Sequence, residues 1–277
     1  MKPVKPIYVV ELFPPLSREL VSVLQVLQPT DWERPTLCSP WSVKDVAAHL
    51  LGGNLGRLWN RHETSNPSED HIPNYDELVK LINQDNDLWV QAAKRIGPEI
   101  LIEFLELTDA RLYDHFRGLA QDEPARITVA WVSDRLPPNW LDIAREYTEK
   151  WLHQQHIRQA VDQPLLTGQV WLSPVLDIFM RGLPRTFRSV EAGNGTSVSV
   201  QITGEAGGEW SLVREDLHWH LFAGRDPQAA CYVHIDQDLA WRLFTKDASR
   251  EDALQLVQID GNTALGEQVL EMVSIMA

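Results

Sequence analysis

The sequence predicts a mainly α-helical protein in two parts: an N-terminal up-and-down helical bundle (residues 1–168) and a C-terminal α+β domain with an antiparallel sheet (residues 169–277). Three observations predict this division. Long amphipathic runs joined by short connections are typical of a helical bundle. Beyond Pro164, alternating runs bounded by Gly and Asp are typical of antiparallel strands. A chain of 277 residues is also long enough for two domains.

Five helices are predicted in the first part. The first follows Pro14 and Pro15 and ends before Pro29. The second begins at a capping box formed by Ser42 and Asp45, in which each residue satisfies a backbone amide of the other. The remaining three helices are predicted at about 75–96, 98–119 and 140–161, and the polar, proline-bearing stretch 65–73 is predicted to be a loop.

The second part is predicted to begin with one more helix, from Ser173-Pro174 to about Thr186. Four strands follow, in the runs SVSVQITG, EWSLVRE, LHWHLFAG and ACYVHID. Side chains two apart on a strand share a face, and Trp219 fits the core, so His218 and His220 are predicted to face solvent. The N-caps of three short terminal helices are predicted at Asp236, Ser249 and Asn262.

Composition excludes several classes of function. The net charge of −14, from 25 basic and 39 acidic residues, argues against nucleic acid and anionic membranes as partners, because both need a basic surface. Cys38 and Cys231 form no disulfide framework, so we expect a reducing compartment. No signal peptide and no run of roughly 18 apolar residues is present, which predicts a cytoplasmic protein.

A set of metal ligands is predicted on two helices. Glu149 and His153 are one turn apart, so their Cβ atoms lie about 6 Å apart on one face. If the helix carrying His49 packs against that face, the three side chains supply three ligands and leave a fourth position open, as in catalytic zinc sites. We therefore predict a divalent metal at His49, Glu149 and His153, with zinc as the first expectation and nickel as the alternative.

Other roles for these residues stay open at this stage. His153 could be a buried, hydrogen-bonded histidine, and Glu149 could pair with Arg145 one turn earlier. His156 could ligate the metal, orient a bound water or carry a proton, and we favour a supporting role. Cys38 could be a nucleophile at a helix N-terminus, but we favour a structural cysteine.

Two segments then show a family resemblance. The run LQPTDWERPTLCSPWSVKDVAAHLLG resembles the DinB-like metal-binding bundles and, more narrowly, the mycothiol-dependent maleylpyruvate isomerase group. That family places its first metal ligand in a W-x3-D-x3-H run, here Trp41, Asp45 and His49. The later run EKWLHQQHIRQAV is similar to the family's last-helix motif, which supplies Glu149 and His153. The resemblance implies a four-helix bundle holding a divalent ion, usually zinc, with a cofactor thiolate at the open position.

The C-terminal part carries a second resemblance. The stretch AACYVHIDQDLAWRLFTKDASREDALQLVQIDGNTALGEQVLEMVSIM is similar to the sterol-carrier-like domain that follows the bundle in that group. The two matches, in this order, cover most of the chain. Many relatives carry Asp where His156 stands, so the surroundings of the metal differ here. The arginine that the isomerase contributes from its C-terminal domain aligns with neither Arg225 nor Arg242 convincingly.

These features predict an enzyme in which a metal activates a low-molecular-weight thiol against a small electrophilic substrate. Addition of the thiolate gives either S-transfer or, by addition, bond rotation and elimination, cis–trans isomerisation, with His156 as an auxiliary base. Mycothiol is implied by the resemblance, and bacillithiol or glutathione could replace it. The alternatives are a non-catalytic protein that binds a metal and an apolar ligand, and a vestigial metal site. A monomer or a homodimer is expected.

Overall fold

The computed structural model describes residues 1–59, 75–126, 129–132 and 135–274, without the side chains of residues 75, 76 and 78. The predicted loop at 65–73 lies outside the described residues. The chain divides into two compact units, which we call the bundle unit (residues 8–126 and 138–166) and the sheet unit (residues 1–7, 127–137 and 167–276). The bounds predicted from sequence, 1–168 and 169–277, stay a prediction, and residues 1–7 and 127–137 belong by their contacts to the sheet unit.

The bundle unit contains the five helices predicted from the sequence, with ends that differ by no more than four residues. Each of four helices packs against two others, in the cyclic order α1, α4, α2, α5, and this arrangement is the four-helix bundle. The additional helix, α3, packs against α2. The five helices are α1 (Phe13–Leu24), α2 (Val43–Leu58), α3 (Tyr75–Ala93), α4 (Pro98–Gly118) and α5 (Asn139–Ala160).

The second helix begins where the sequence predicts. Ser42 Oγ accepts a hydrogen bond from the Asp45 backbone amide, and Asp45 Oδ2 accepts one from the Ser42 amide (3.1 Å), which completes the capping box. From this start, the apolar residues of α2 recur every three or four positions and are fully buried, as the bundle core requires. These residues are Val43, Val46, Ala47, Leu50 and Leu51.

A buried ion-pair network joins α2 to α5. Arg57 donates two hydrogen bonds to the carboxylate of Asp142 (2.6 and 2.7 Å) and one to Glu146 (3.0 Å). The side chains of these three residues are 13%, 9% and 6% exposed, respectively. Arg145, which the sequence offered as a partner for Glu149, forms ion pairs with Glu146 (2.6 Å) and Asp142 (3.6 Å).

Within the described residues, the sheet unit contains six strands in the order β1-β4-β3-β2-β5-β6. All neighbouring strands are antiparallel except β2 and β5, which are parallel, so the predicted antiparallel sheet contains one exception. Two edge strands were not predicted, and the shorter one pairs Lys2 with Ala223. The strands are β1 (Lys2–Pro3), β2 (Ser197–Thr203), β3 (Gly208–Glu215), β4 (His218–Ala223), β5 (Cys231–Asp236) and β6 (Gln258–Gly261).

The helices of the sheet unit confirm the mainly α-helical class and correct one prediction. The single helix expected from Ser173 to Thr186 is two helices, because the chain turns at Arg181–Gly182. The three predicted N-caps, Asp236, Ser249 and Asn262, each accept a backbone amide hydrogen bond at a helix start. The helices are α6 (Gln169–Met180), α7 (Leu183–Thr186), α8 (Gln237–Phe244), α9 (Arg250–Leu256) and α10 (Thr263–Val269).

The exposure of β4 agrees with the alternation seen in the sequence. His218 and His220 are exposed, and Trp219 between them is buried, so both histidines face solvent as predicted.

Across the described ranges, none of the helices combines the length and the apolar character that crossing a bilayer requires.

Candidate metal centre

The structure brings the three predicted ligands together within the bundle unit. His49 Nε2 lies 3.0 Å from Glu149 Oε1, and His153 Nε2 lies 3.0 Å from the same oxygen. The two imidazole rings meet edge to face, with centroids 4.7 Å apart and an interplanar angle of 72°. One ligand atom from each residue lies within 4.8 Å of the other two. We call these three residues the carboxylate cluster.

The packing of α2 against α5 produces this convergence. Glu149 and His153 are four residues apart on α5 and therefore share a face. His49 lies on α2, which packs against α5, and its ring packs at a tilt of 36° against that of Trp41, with centroids 5.0 Å apart. Asp45 lies one turn before His49 and serves in the capping box. Within the W-x3-D-x3-H run, Trp41 thus contacts the histidine ring and Asp45 fixes the start of its helix.

The carboxylate cluster has one open side. The side chains of His49 and His153 are 11% and 12% exposed, whereas that of Glu149 is 33% exposed. The carboxylate is therefore the most exposed of the three donor groups.

The protonation states of the cluster suit a cation. Burial raises the pKa of Glu149, but the neighbouring His153 and His49 outweigh this effect and hold that pKa well below its ordinary value. Burial lowers the pKa of His153; Glu149 opposes this shift, and the charges of His49 and His156 add to it. Near neutral pH the cluster therefore contains a carboxylate and a neutral imidazole, the forms that bind a metal ion.

His156 lies beside the carboxylate cluster and is not one of its three residues. It is 3% exposed, and its ring centroid is 5.5 Å from that of His153. Its Nδ1 lies 2.8 Å from Cys38 Sγ, and the same sulfur lies 3.5 Å from His153 Nδ1. Cys38, His153 and His156 form a second set of ligand atoms that lie within 4.8 Å of one another, which we call the thiol cluster.

Cys38, for which the sequence favours a structural role, lies next to the predicted metal ligands. The structure places its sulfur against ring nitrogens of two histidines on α5. One part of this arrangement can be predicted from the sequence, because His153 and His156 are three residues apart and share a side of the helix. The position of Cys38, four residues before the N-cap Ser42, was the only other indication.

The donor chemistry of the carboxylate cluster fits a divalent cation. Two imidazole nitrogens and one carboxylate oxygen are the three protein ligands of one class of catalytic zinc site, in which a fourth position stays open. Imidazole also suits nickel.

Comparisons with known proteins show the family and the fold of the chain. Residues 13–158, more than half of the chain, match the family model of the mycothiol maleylpyruvate isomerase N-terminal domain. Similar solved structures include crystal structures of the mycothiol-dependent maleylpyruvate isomerase, with 14% identity and a TM-score of 0.53, and of a point mutant of that enzyme, with 13% identity and a TM-score of 0.52.

In both structural comparisons 91% of each chain is covered, and identities this low show a shared fold. The comparison with curated proteins found no significant match. The match to the family model spans all four bundle helices nearly completely and includes His49, Glu149 and His153. The chain therefore belongs to the mycothiol maleylpyruvate isomerase N-terminal domain family.

Proposed function

We propose that this protein is a metal-dependent enzyme that uses a low-molecular-weight thiol, as a thiol-dependent isomerase or S-transferase. The observation that carries the proposal is the convergence of His49, Glu149 and His153 around one position, with an open side at the carboxylate. Membership of the family supports it, and the similar solved structures are of an enzyme described as mycothiol-dependent.

In this proposal the carboxylate cluster holds a divalent cation, with zinc as the first candidate and nickel as the alternative. A cation bound there supplies Lewis acidity, which lowers the pKa of a coordinating thiol towards neutrality. Glu149 contributes the negative charge. Trp41 packs on the ring of His49, and the sulfur of Cys38 lies at the second nitrogen of His153, so both rings have fixed orientations.

His156 has an auxiliary acid–base role in this proposal. Its Nδ1 lies 2.8 Å from Cys38 Sγ, so His156 and Cys38 can share a proton next to His153. Because the ring is 3% exposed, His156 acts through Cys38 and His153 and does not meet the substrate directly.

The partners in this proposal are the thiol and a small electrophilic substrate. Mycothiol is the first candidate thiol because the family model and the similar structures carry that name. Bacillithiol and glutathione are the alternatives. The sterol-carrier-like character of the sheet unit, the cytoplasmic location and a monomeric or homodimeric state stay predictions.

The test combines metal analysis with turnover. We expect wild-type protein purified with Zn²⁺ to contain the metal by mass spectrometry, and the His153→Ala variant to lose it. Conjugation of chlorodinitrobenzene is then measured with mycothiol, bacillithiol and glutathione, before and after treatment with a chelator. The proposal predicts turnover with at least one thiol that chelation abolishes.

The control is His218→Ala, which removes an exposed histidine of β4 and should change neither metal content nor turnover. Metal retained by His153→Ala would contradict the ligand set. Bound metal without turnover for any thiol would instead favour a non-catalytic protein that binds a metal and an apolar ligand.

A further inference from the structure

The thiol cluster offers a second set of donors beside the carboxylate cluster. Cys38 Sγ lies 3.5 Å from His153 Nδ1 and 2.8 Å from His156 Nδ1, and the ligand atoms of all three residues lie within 4.8 Å of one another. One thiolate and two imidazoles are donors that zinc accepts in proteins. This set contains sulfur and no carboxylate, so it differs in chemical class from the carboxylate cluster.

His153 belongs to both clusters through different atoms. Its Nε2 lies 3.0 Å from Glu149 Oε1, and its Nδ1 faces Cys38 Sγ. The lone pairs of these two ring nitrogens diverge, so a single ion can use only one of them. A neutral imidazole also keeps a proton on the other nitrogen, which prevents two ions from using one neutral ring at the same time.

We propose that Cys38, His153 and His156 form a second cation position, which takes a thiophilic ion of the zinc class and competes with the carboxylate cluster for His153. One ion then has two alternative positions, one with a carboxylate donor and one with a thiolate donor. This proposal goes beyond the thiol-dependent activity and does not depend on it.

The loop before α2 fixes the sulfur at this position. Thr36 accepts a hydrogen bond at Oγ1 from the amide of Cys38 (3.2 Å), and the Cys38 carbonyl accepts one from the amide of Trp41 (2.8 Å). Thr36 also bonds to the Trp41 carbonyl through both its amide and its hydroxyl. The backbone on both sides of Cys38 is therefore held, as precise placement of a ligand requires.

The chemistry of the two positions predicts different preferences. Thiolate ligands select softer ions, whereas a carboxylate oxygen suits harder ones. Binding at the thiol cluster requires the thiolate, so the proton of Cys38 is released to solvent when the ion binds. Loss of the carboxylate donor should move an ion from the first position to the second, because His153 then becomes available through Nδ1.

Co²⁺ titration of the metal-free full-length protein tests this proposal, because a cobalt–thiolate bond produces a near-ultraviolet charge-transfer band that the carboxylate cluster cannot produce. We expect wild type to show this band weakly and Glu149→Gln to show it at least twofold more strongly per bound Co²⁺. Cys38→Ser should lose the band and still bind Co²⁺ at the carboxylate cluster.

Cys231→Ser is the matched control and should keep the band, because Cys231 is buried on β5. A band that persists in Cys38→Ser, or one that is absent from both wild type and Glu149→Gln, would overturn the proposal. If Glu149→Gln fails to fold by circular dichroism, His49→Ala replaces it with the same expectation. In whichever of Glu149→Gln and His49→Ala is used, Zn²⁺ should also slow the alkylation of Cys38 by iodoacetamide. An alkylation rate that Zn²⁺ leaves unchanged would count against the site.

Discussion

His49 and His153 direct their Nε2 atoms at a single oxygen of Glu149, each at a distance of 3.0 Å. The two imidazoles come from different helices, and the carboxylate between them is the only one of the three residues with a substantially exposed side chain. Glu149 therefore supplies both the negative charge of the cluster and its accessible side. The consequences of removing that charge can be measured directly.

We predict that Glu149→Gln weakens Zn²⁺ binding at the carboxylate cluster by more than about 100-fold, because loss of a ligand should cost at least as much as loss of a residue that orients one. The dissociation constant is measured by competition with a chromophoric chelator in the Cys38→Ser background, in which the thiol cluster is absent. Glu103→Gln, an exposed carboxylate on α4, is the control in that background. Equal affinities for the two variants would contradict the role of Glu149.

Two glycines of α2 should respond to alanine in opposite ways. A Cβ atom at Gly52 would lie 2.5 Å from Cδ1 of Trp89, whose indole donates a hydrogen bond to the Ala48 carbonyl. Gly52→Ala should therefore destabilise the bundle unit by about 1–3 kcal/mol through overpacking. Gly56 meets nothing within 4 Å, so Gly56→Ala should stabilise it by up to about 1 kcal/mol through helix propensity. Urea unfolding measures the free energy of unfolding of both variants. A change of the same sign in both would contradict the close packing of Trp89 against Gly52.

The buried ion-pair network around Arg57 should contribute far more to the free energy of unfolding than exposed ion pairs do. Arg57→Leu removes three hydrogen bonds from the buried carboxylates of Asp142 and Glu146 and leaves them Arg145, which should cost up to about 3–5 kcal/mol of unfolding free energy. Arg34 forms exposed pairs with Asp31 and Asp162 in the same unit, and Arg34→Leu should cost less than about 1 kcal/mol. Chemical denaturation of the two variants under identical conditions makes the comparison. Similar losses would show that the network contributes no more than a surface pair.

The network also predicts how stability depends on acid. Burial raises the pKa of Glu146, but Arg145, Arg57 and Lys150 outweigh this effect and lower that pKa below its ordinary value of 4.5. A lowered carboxyl pKa stabilises the folded state above pH 4.5, and this contribution is lost as the pH falls through the lower folded value. The stability difference between wild type and Glu146→Gln should therefore be constant above pH 4.5 and shrink below it. Urea unfolding from pH 7 to pH 3 measures it, and a constant difference throughout would be inconsistent with the shift.

Local signals predicted helix starts well where the interaction itself is local. The capping box at Ser42 involves only a residue three positions away, so the sequence placed the start of α2 correctly. In the sheet unit the helix start predicted at Ser173-Pro174 was wrong. It was predicted there because proline is typical of a first helical turn. The helix begins at Gln169, and Leu172, which precedes the predicted start, is fully buried. Burial of that turn outweighed the local signal.

The partners of strands and the surroundings of the site depend on distant contacts. Alternation identified β2 and β5 but could not show that they run parallel, because direction depends on the path of the chain between them. In the same way, helical spacing placed Glu149 and His153 on one face, whereas the part of His49 depended on the packing of its helix against that face. Cys38 could not be placed, because 115 residues separate it from His153 and only the packing of the loop brings them together.

The pairing of Lys2 with Ala223 has a consequence for biosynthesis. A ribosome releases the first strand of the sheet long before it has made the residues that complete the ladder. During that interval the whole bundle emerges, so the opening residues must wait without a partner while the helices assemble. β1 can join the sheet only after β4 has been made, and a nascent chain stalled before β4 should leave Lys2 and Pro3 accessible to protease.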